Sequence, residues 1–291
     1  MSKIDPMDKL WTLAELNRRE LIASGAITGI VAGFAAAVQP VMAQTMIMTE
    51  PKGLEAGMVK IPVGADKIKA YRAVQIGGKA RPLILVVQEI FGVHEHIKDV
   101  CRRLALLGYC AIAPEMYQRQ GDVSKLDIDA IRKVVGAVPD AQVMADLDAA
   151  VAWAASTGIG DANKLGITGF CWGGRVVWMY SGHNPNVKAG VAWYGRLVGD
   201  KSPNTPNFPV DIATKIKAPV LGLYGGADAG IPVATVEQMR VALGAGSKSM
   251  IHVYPETPHA FFADYRPSYR KEAADDGWSR CTAWFKANGV A

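Results

Sequence analysis

From about residue 56 onward, short runs of apolar and β-branched residues alternate with stretches whose apolar positions recur every three to four residues. The short runs predict strands over 58–62, 68–74, 83–87, 109–113, 165–168, 189–193, 220–224 and 250–254. Several of them, LILVV at 83–87 and VLGLY at 220–224 among them, are apolar throughout. A strand that reads this way is covered on both faces, so the pattern points to a mostly parallel sheet. The helical periods predict helices over 95–107, 124–136, 141–156, 173–182, 232–243 and 268–287. The third of these lines up Val143, Met144, Leu147, Ala150, Val151 and Ala154 on one face. Strand and helix in alternation imply an α/β fold, a mostly parallel doubly wound sheet with helices on both faces. The stretch 196–217, with Pro203, Pro206 and Pro209, lacks a clear period and is expected to form a loop over the site.

Composition narrows the class. The chain has 291 residues, half of them hydrophobic and a fifth charged, enough to bury a substantial core. Its net charge of +5 is scattered, and no basic run interleaved with aromatics appears, so nucleic acid is not an expected partner. The first 43 residues differ from the rest: Arg18-Arg19 precedes the uncharged stretch LIASGAITGIVAGFAAAVQP, and Val41-Met42-Ala43 offers small residues for cleavage before Gln44. This segment resembles a twin-arginine export signal, which implies a mature chain of 44–291 in the periplasm or outside the cell, or in the cytoplasm if the signal is silent. Its apolar run is too weak to predict stable membrane insertion. A single domain over 44–291, monomeric, is expected. Cys101, Cys110 and Cys281 fall on predicted helices and strands as small buried hydrophobes, and a Cys101–Cys110 bridge is the alternative.

Ligands of such sheets bind at the carboxyl ends of the strands, where four reactive side chains follow predicted strands: Glu89, Cys171, Asp228 and His259. Cys171 lies in Gly169-Phe170-Cys171-Trp172-Gly173-Gly174, between a strand and a helix, where glycines permit a tight turn. A cysteine at a helix N-terminus is favoured as thiolate by the helix dipole. The order nucleophile, acid, histidine resembles that of α/β-hydrolases, with His259 as base and Asp228 as its orienting acid. The backbone N–H groups of Trp172 and Ile90 are the expected oxyanion hole. His183 and His252 read as structural, and Asp264 as a weaker rival for the acid role. The run His94-Glu95-His96 is not expected to hold a metal, because residues two apart do not share a helix face. No metal is expected.

Five ordered motifs then make a specific resemblance: Gln88-Glu89-Ile90-Phe91-Gly92-Val93, Tyr117-x-Arg119-Gln120, the cysteine motif, Gly226-x-Asp228, and Pro258-His259-x-Phe261. Together they resemble the dienelactone hydrolase family over about residues 56–288. The resemblance implies an α/β-hydrolase that opens a carboxylate-bearing enol lactone to maleylacetate without any cofactor, with Glu89 touching the resting thiol and moving when substrate arrives. It implies Arg119 as one carboxylate-binding arginine. The second family arginine, four residues after the histidine, is Ala263 here, and the serine directly after it is Ala260, so Arg266 or Arg196 is left to substitute. Phe91, Tyr117, Trp172, Tyr194 and Phe261 are candidate walls of the substrate pocket. The alternatives are a broader carboxylesterase or thioesterase, a non-catalytic binding protein, and a thiol sensor.

Overall fold

The computed structural model describes residues 46–291; the expected export signal lies outside them. The chain enters through strands β1 (Leu54–Val63) and β2 (Asp66–Gln75), an antiparallel hairpin in which Leu54 stands opposite Gln75. Then β3 (Arg81–Val87), helix α1 (Glu95–Leu106) and β4 (Cys110–Pro114) follow. Helices α2 (Ile128–Gly136) and α3 (Asp140–Ser156) lead to β5 (Gly160–Phe170), α4 (Trp172–His183) and β6 (Val187–Trp193). A short helix α5 (Pro209–Ile212), β7 (Val220–Gly225), α6 (Val233–Leu243), β8 (Met250–Tyr254) and α7 (Lys271–Ala287) complete the described chain.

The eight strands form one sheet in the order β1-β2-β4-β3-β5-β6-β7-β8, with helices on both sides. β1 and β2 are antiparallel to their neighbours, and β3 to β8 are parallel. The predicted α/β-hydrolase fold is therefore the observed one. The continuous apolar runs are the central strands: Leu83 to Val87 of β3 are completely buried. The edges read differently, with Met58 on β1 and Met250 on β8 half or more exposed. From β3 the chain builds outward to β4, then returns to build β5 on the other flank. The carboxyl ends of β3 and β5 therefore part into a crevice, the place where such sheets bind ligands.

Several boundaries move for identifiable reasons. Helix α2 starts at Ile128 and not at 124, because the Asp127 carboxylate accepts the N–H groups of Asp129 and Ala130 and caps the helix there. Helix α7 starts at Lys271 and not at 268, because residues 260–269 are coiled into successive turns closed by Ala263 N–H to Ala260 O, Arg266 N–H to Ala263 O and Tyr269 N–H to Arg266 O. The 196–217 stretch carries α5 and a 3₁₀ turn, Ala213–Lys215, within an otherwise irregular path beside the loop that follows β7. All four cysteines are free, so the Cys101–Cys110 alternative is not adopted, and Cys101, Cys110 and Cys281 are buried as expected. Burial pushes the Cys110 thiol up to about 12 and raises the other two further, which keeps all three protonated. Among the described residues no helix is long and apolar enough to cross a membrane.

The first turn of α4 lies directly on the ends of β3 and β6. A Cβ on Gly173 would stand 2.4 Å from the Val87 carbonyl oxygen, and one on Gly174 2.4 Å from that of Trp193. These neighbours are backbone and cannot yield. Gly173→Ala is expected to cost about 3 kcal/mol of unfolding free energy. Gly136→Ala, in α2 with open space around it, is expected to be neutral or stabilising by up to about 1 kcal/mol. Denaturant unfolding of the two variants checks the contrast.

Candidate active site

Cys171 occupies the turn between β5 and α4 with φ 54° and ψ −115°, a left-handed conformation that costs a non-glycine residue about 1–3 kcal/mol. The turn is held by the Cys171 N–H donating to Trp193 O at 3.0 Å and by the glycine contacts on either side. It puts the thiol at the N-terminus of α4, partly accessible, in the crevice of the sheet. Among the described residues, three of the four non-glycine residues with positive φ, Cys171, Tyr194 and Ala260, stand in or beside this site.

Asp228 follows β7 and His259 follows β8, and the structure brings them together: His259 Nδ1 lies 2.6 Å from Asp228 Oδ2. The other Asp228 oxygen accepts the N–H groups of Gly230 and Ile231, at 2.9 and 3.1 Å, so the buried carboxylate is held in one orientation. Burial by itself would lower the His259 pKa, but the Asp228 charge and the nearby Cys171 outweigh it and raise it well above the ordinary value. With Nδ1 committed to Asp228, the buried Nε2 is left to face the Cys171 thiol. Neither the Ile90 nor the Trp172 N–H is taken by an acceptor among the described residues, which leaves both for an oxyanion. Asp264, the rival acid, is bound instead by His96 at 3.2 Å and Arg103 at 2.7 Å.

Glu89 is placed differently from the expectation. Its carboxylate accepts the Tyr265 hydroxyl at 2.7 Å and lies 3.4 Å from His94 Nε2, while Tyr265 and His94 are 3.2 Å apart. Burial would raise the carboxyl pKa, yet the His94 hydrogen bond and the Arg266 charge hold it well below the usual carboxylate range. The expected contact is with the thiol; the observed ones are with Tyr265 and His94, which offer a hydroxyl and an imidazole where the thiol offers a weak donor. His94 itself is driven toward neutrality by burial.

The predicted walls of the pocket divide. Phe91 and Tyr117 line a cavity beside the site, and the Tyr117 ring meets Trp172 edge-on at 5.0 Å. Phe261 does not wall it: the ring is fully buried among Trp193, Tyr194 and Tyr254, because its short spacing from His259 turns it into the core. Tyr194, also fully buried, supports the His259 ring edge-on at 5.1 Å and offers no surface to a ligand.

Arg119 does not supply the carboxylate clamp. Both of its terminal nitrogens are spent on the buried Asp146, at 2.8 and 2.7 Å, and Nε reaches Asp66 at 3.4 Å. The guanidinium that faces the site belongs to Arg266. It is 5% exposed, stacks over the rings of Phe91 at 4.4 Å and Tyr265 at 4.7 Å, and has Nε and Nη1 buried without a hydrogen-bond acceptor. The turns at 260–269 carry it there. Ala263, the position of the family arginine, is fully buried. Arg196, the other substitute, lies over Phe208 at 5.6 Å in the 196–217 stretch. Sequence reasoning passed over His94 and Tyr265; the one available signal was a histidine directly after the Gln88–Val93 motif, weighed there only as a metal ligand. Among the described residues no group of three His, Cys, Asp or Glu side chains is arranged to hold a metal.

Comparison with known proteins shows the family. A family model described as "Dienelactone hydrolase family" matches residues 68–289. A protein of Methylorubrum extorquens named "Putative carboxymethylenebutenolidase" is 63% identical over 95% of this chain and 94% of its own length. One of the same name from Escherichia coli K12 is 54% identical over 88% of this chain and 96% of its own. A crystal structure from Klebsiella pneumoniae subsp. pneumoniae, named "Putative Dienelactone Hydrolase", superposes with a TM-score of 0.78 at 57% identity, covering 80% of this chain and 98% of that one.

Two outcomes follow from the electrostatics. His259 has a folded pKa above its unfolded value of about 6.5, so its stabilisation is complete below that pH and is lost as pH rises through the folded value. His94 has the opposite sign, stabilising fully above about 6.5 and losing this as pH falls. Between pH 7 and 10 the unfolding free energy of the wild type should therefore fall more steeply than that of Asp228→Asn; equal slopes in denaturant titrations would remove Asp228 as the cause. Arg119→Ala strands the Asp146 charge and is expected to cost about 3 kcal/mol of stability, while KM for neutral and carboxylate-bearing esters stays within about twofold.

Proposed function

We propose, from the premise that this chain belongs to the dienelactone hydrolase family, that it opens carboxylate-bearing enol lactones through a Cys171–His259–Asp228 triad, converting a dienelactone to maleylacetate. The observation that carries the reading is the convergence of the Asp228–His259 pair, 2.6 Å apart, on a thiol held in a strained turn at a helix N-terminus.

The thiol proton passes to His259 Nε2, and Asp228 stabilises the imidazolium that forms. Sγ attacks the lactone carbonyl carbon, and the oxygen, now negative, is received by the N–H groups of Ile90 and Trp172, each worth about 3 kcal/mol in such a hole. Collapse breaks the ring C–O bond and leaves a thioester. The departing enol oxygen takes the proton from His259, and the enol tautomerises to a ketone. His259 then takes a proton from water, whose oxygen attacks the thioester and releases the carboxylic acid and the free thiol. Arg266, cationic, nearly buried and short of acceptors, takes the substrate carboxylate in place of Arg119. Glu89, paired with Tyr265 and His94, gives the Arg266 charge a fixed counter-charge.

A second reading, a broader carboxylesterase or thioesterase, gains support from Arg119, whose fork is closed on Asp146, so that one guanidinium and not two faces the substrate.

Steady-state hydrolysis by the full chain of a carboxylate-bearing dienelactone and of p-nitrophenyl acetate tests both. The dienelactone is expected to be preferred, and Cys171→Ala to lose roughly 10⁴-fold or more in kcat/KM on either substrate. Arg266→Gln should lose about ten- to hundredfold on the dienelactone and little on the acetate. Retained activity in Cys171→Ala would overturn the triad; turnover of p-nitrophenyl acetate alone would leave the second reading.

A further inference from the structure

From Tyr117, Tyr265 and Arg266 a cavity of about 1140 Å³ runs along β1 and the residues around α2 to solvent. Tyr117 and Arg266 line it, and the Tyr117 ring meets that of Trp172, the residue next to Cys171, edge-on at 5.0 Å, so its inner end adjoins the site. Its volume exceeds the about 300–1,000 Å³ of ordinary small-molecule sites. A single unsaturated ring would leave most of it empty.

The walls change character along its length. At the inner end stand the nearly buried Arg266, with Nε and Nη1 lacking acceptors, and His94. Outward come Phe91, Val123 and Ile131, and at the mouth Met58 and Leu126, which are 50% and 38% exposed. Large apolar side chains left in water around one channel mark a surface that gains by being covered. Other charged side chains reach the channel as well: Lys60, Lys69, Asp122 and Asp127, which are exposed, Lys98, and Glu115, whose carboxylate accepts the Val93 N–H at 3.2 Å.

We infer that this channel binds the non-reacting body of the substrate, and that the substrate class is an ester or lactone whose carboxylate seats on Arg266 and whose extended apolar substituent lies along Phe91, Val123, Ile131, Leu126 and Met58. The inference rests on the hydrolase reading above and names the substrate of that same site. The charge and the apolar walls act together: a buried cation short of acceptors selects the anionic group, and the trough beyond it rewards length.

Isothermal titration of n-alkyl carboxylates from acetate to decanoate into the full-length Cys171→Ala chain tests this without relying on turnover. Affinity should rise about two- to fourfold with each methylene that enters the channel, and n-alcohols of equal length should bind at least about tenfold more weakly. Leu126→Asp combined with Met58→Asp, both surface positions whose change leaves the core intact, should flatten the rise; Arg266→Gln should weaken every length by a similar factor. Equal affinity for acetate and decanoate, or a rise untouched by the Leu126 and Met58 changes, would overturn the channel. If the chain-length rise holds while no ester is turned over, the hydrolase reading alone falls; if esters are turned over and the series is flat, this inference alone falls.

Discussion

The contact of bare backbone between the first turn of α4 and the ends of β3 and β6 is the constraint on which the rest of the site depends. Without side chains at Gly169, Gly173 and Gly174, helix and strands approach to distances that a single Cβ would forbid. That approach forces the chain through a turn at Cys171 which a non-glycine residue adopts only under strain. The strain has two structural products. It points the thiol into the crevice between β3 and β5, and it leaves the Trp172 N–H without an acceptor among the described residues, like the Ile90 N–H in the loop after β3.

Around this turn the fold buries charge, and most of it is compensated by a named partner. Asp228 has His259 and two backbone N–H groups. Glu89 has Tyr265, His94 and the Arg266 field. Asp264 has His96 and Arg103, and Arg103 in turn binds the buried Asp99 at 2.5 Å. Arg266 is the exception: ring faces and a neighbouring carboxylate offset its charge, while two of its N–H-bearing nitrogens remain unused. A group that costs free energy to bury and is left incompletely satisfied is a place where a ligand can repay that cost.

The difference from the family's prototype pattern has a geometric explanation. With alanines at 260 and 263 the segment after His259 packs tightly and coils into three successive turns. Those turns return Tyr265 and Arg266 to the site, so a guanidinium arrives from three residues further along the chain. Tyr265 arrives with it and engages Glu89, which couples the end of β3 to the segment after β8 through one hydroxyl.

Much of this was legible in the sequence. Continuous apolar runs identify the buried parallel strands because a strand covered on both faces has no wet side to display. The cysteine motif and the order of Cys171, Asp228 and His259 pick out the three residues proposed as the triad, because each follows a strand and the glycines have few other uses. The positions of Arg119, Tyr194, Phe261, His94, Tyr265 and Arg266 were decided only by tertiary structure. The direction of a long side chain depends on what else competes for it. Arg119 lies next to a motif but finds Asp146, a residue 27 positions away; Glu89 finds Tyr265, 176 positions away. Local spacing places the backbone of such residues at the site, and the partner brought alongside by the fold decides which way each side chain turns.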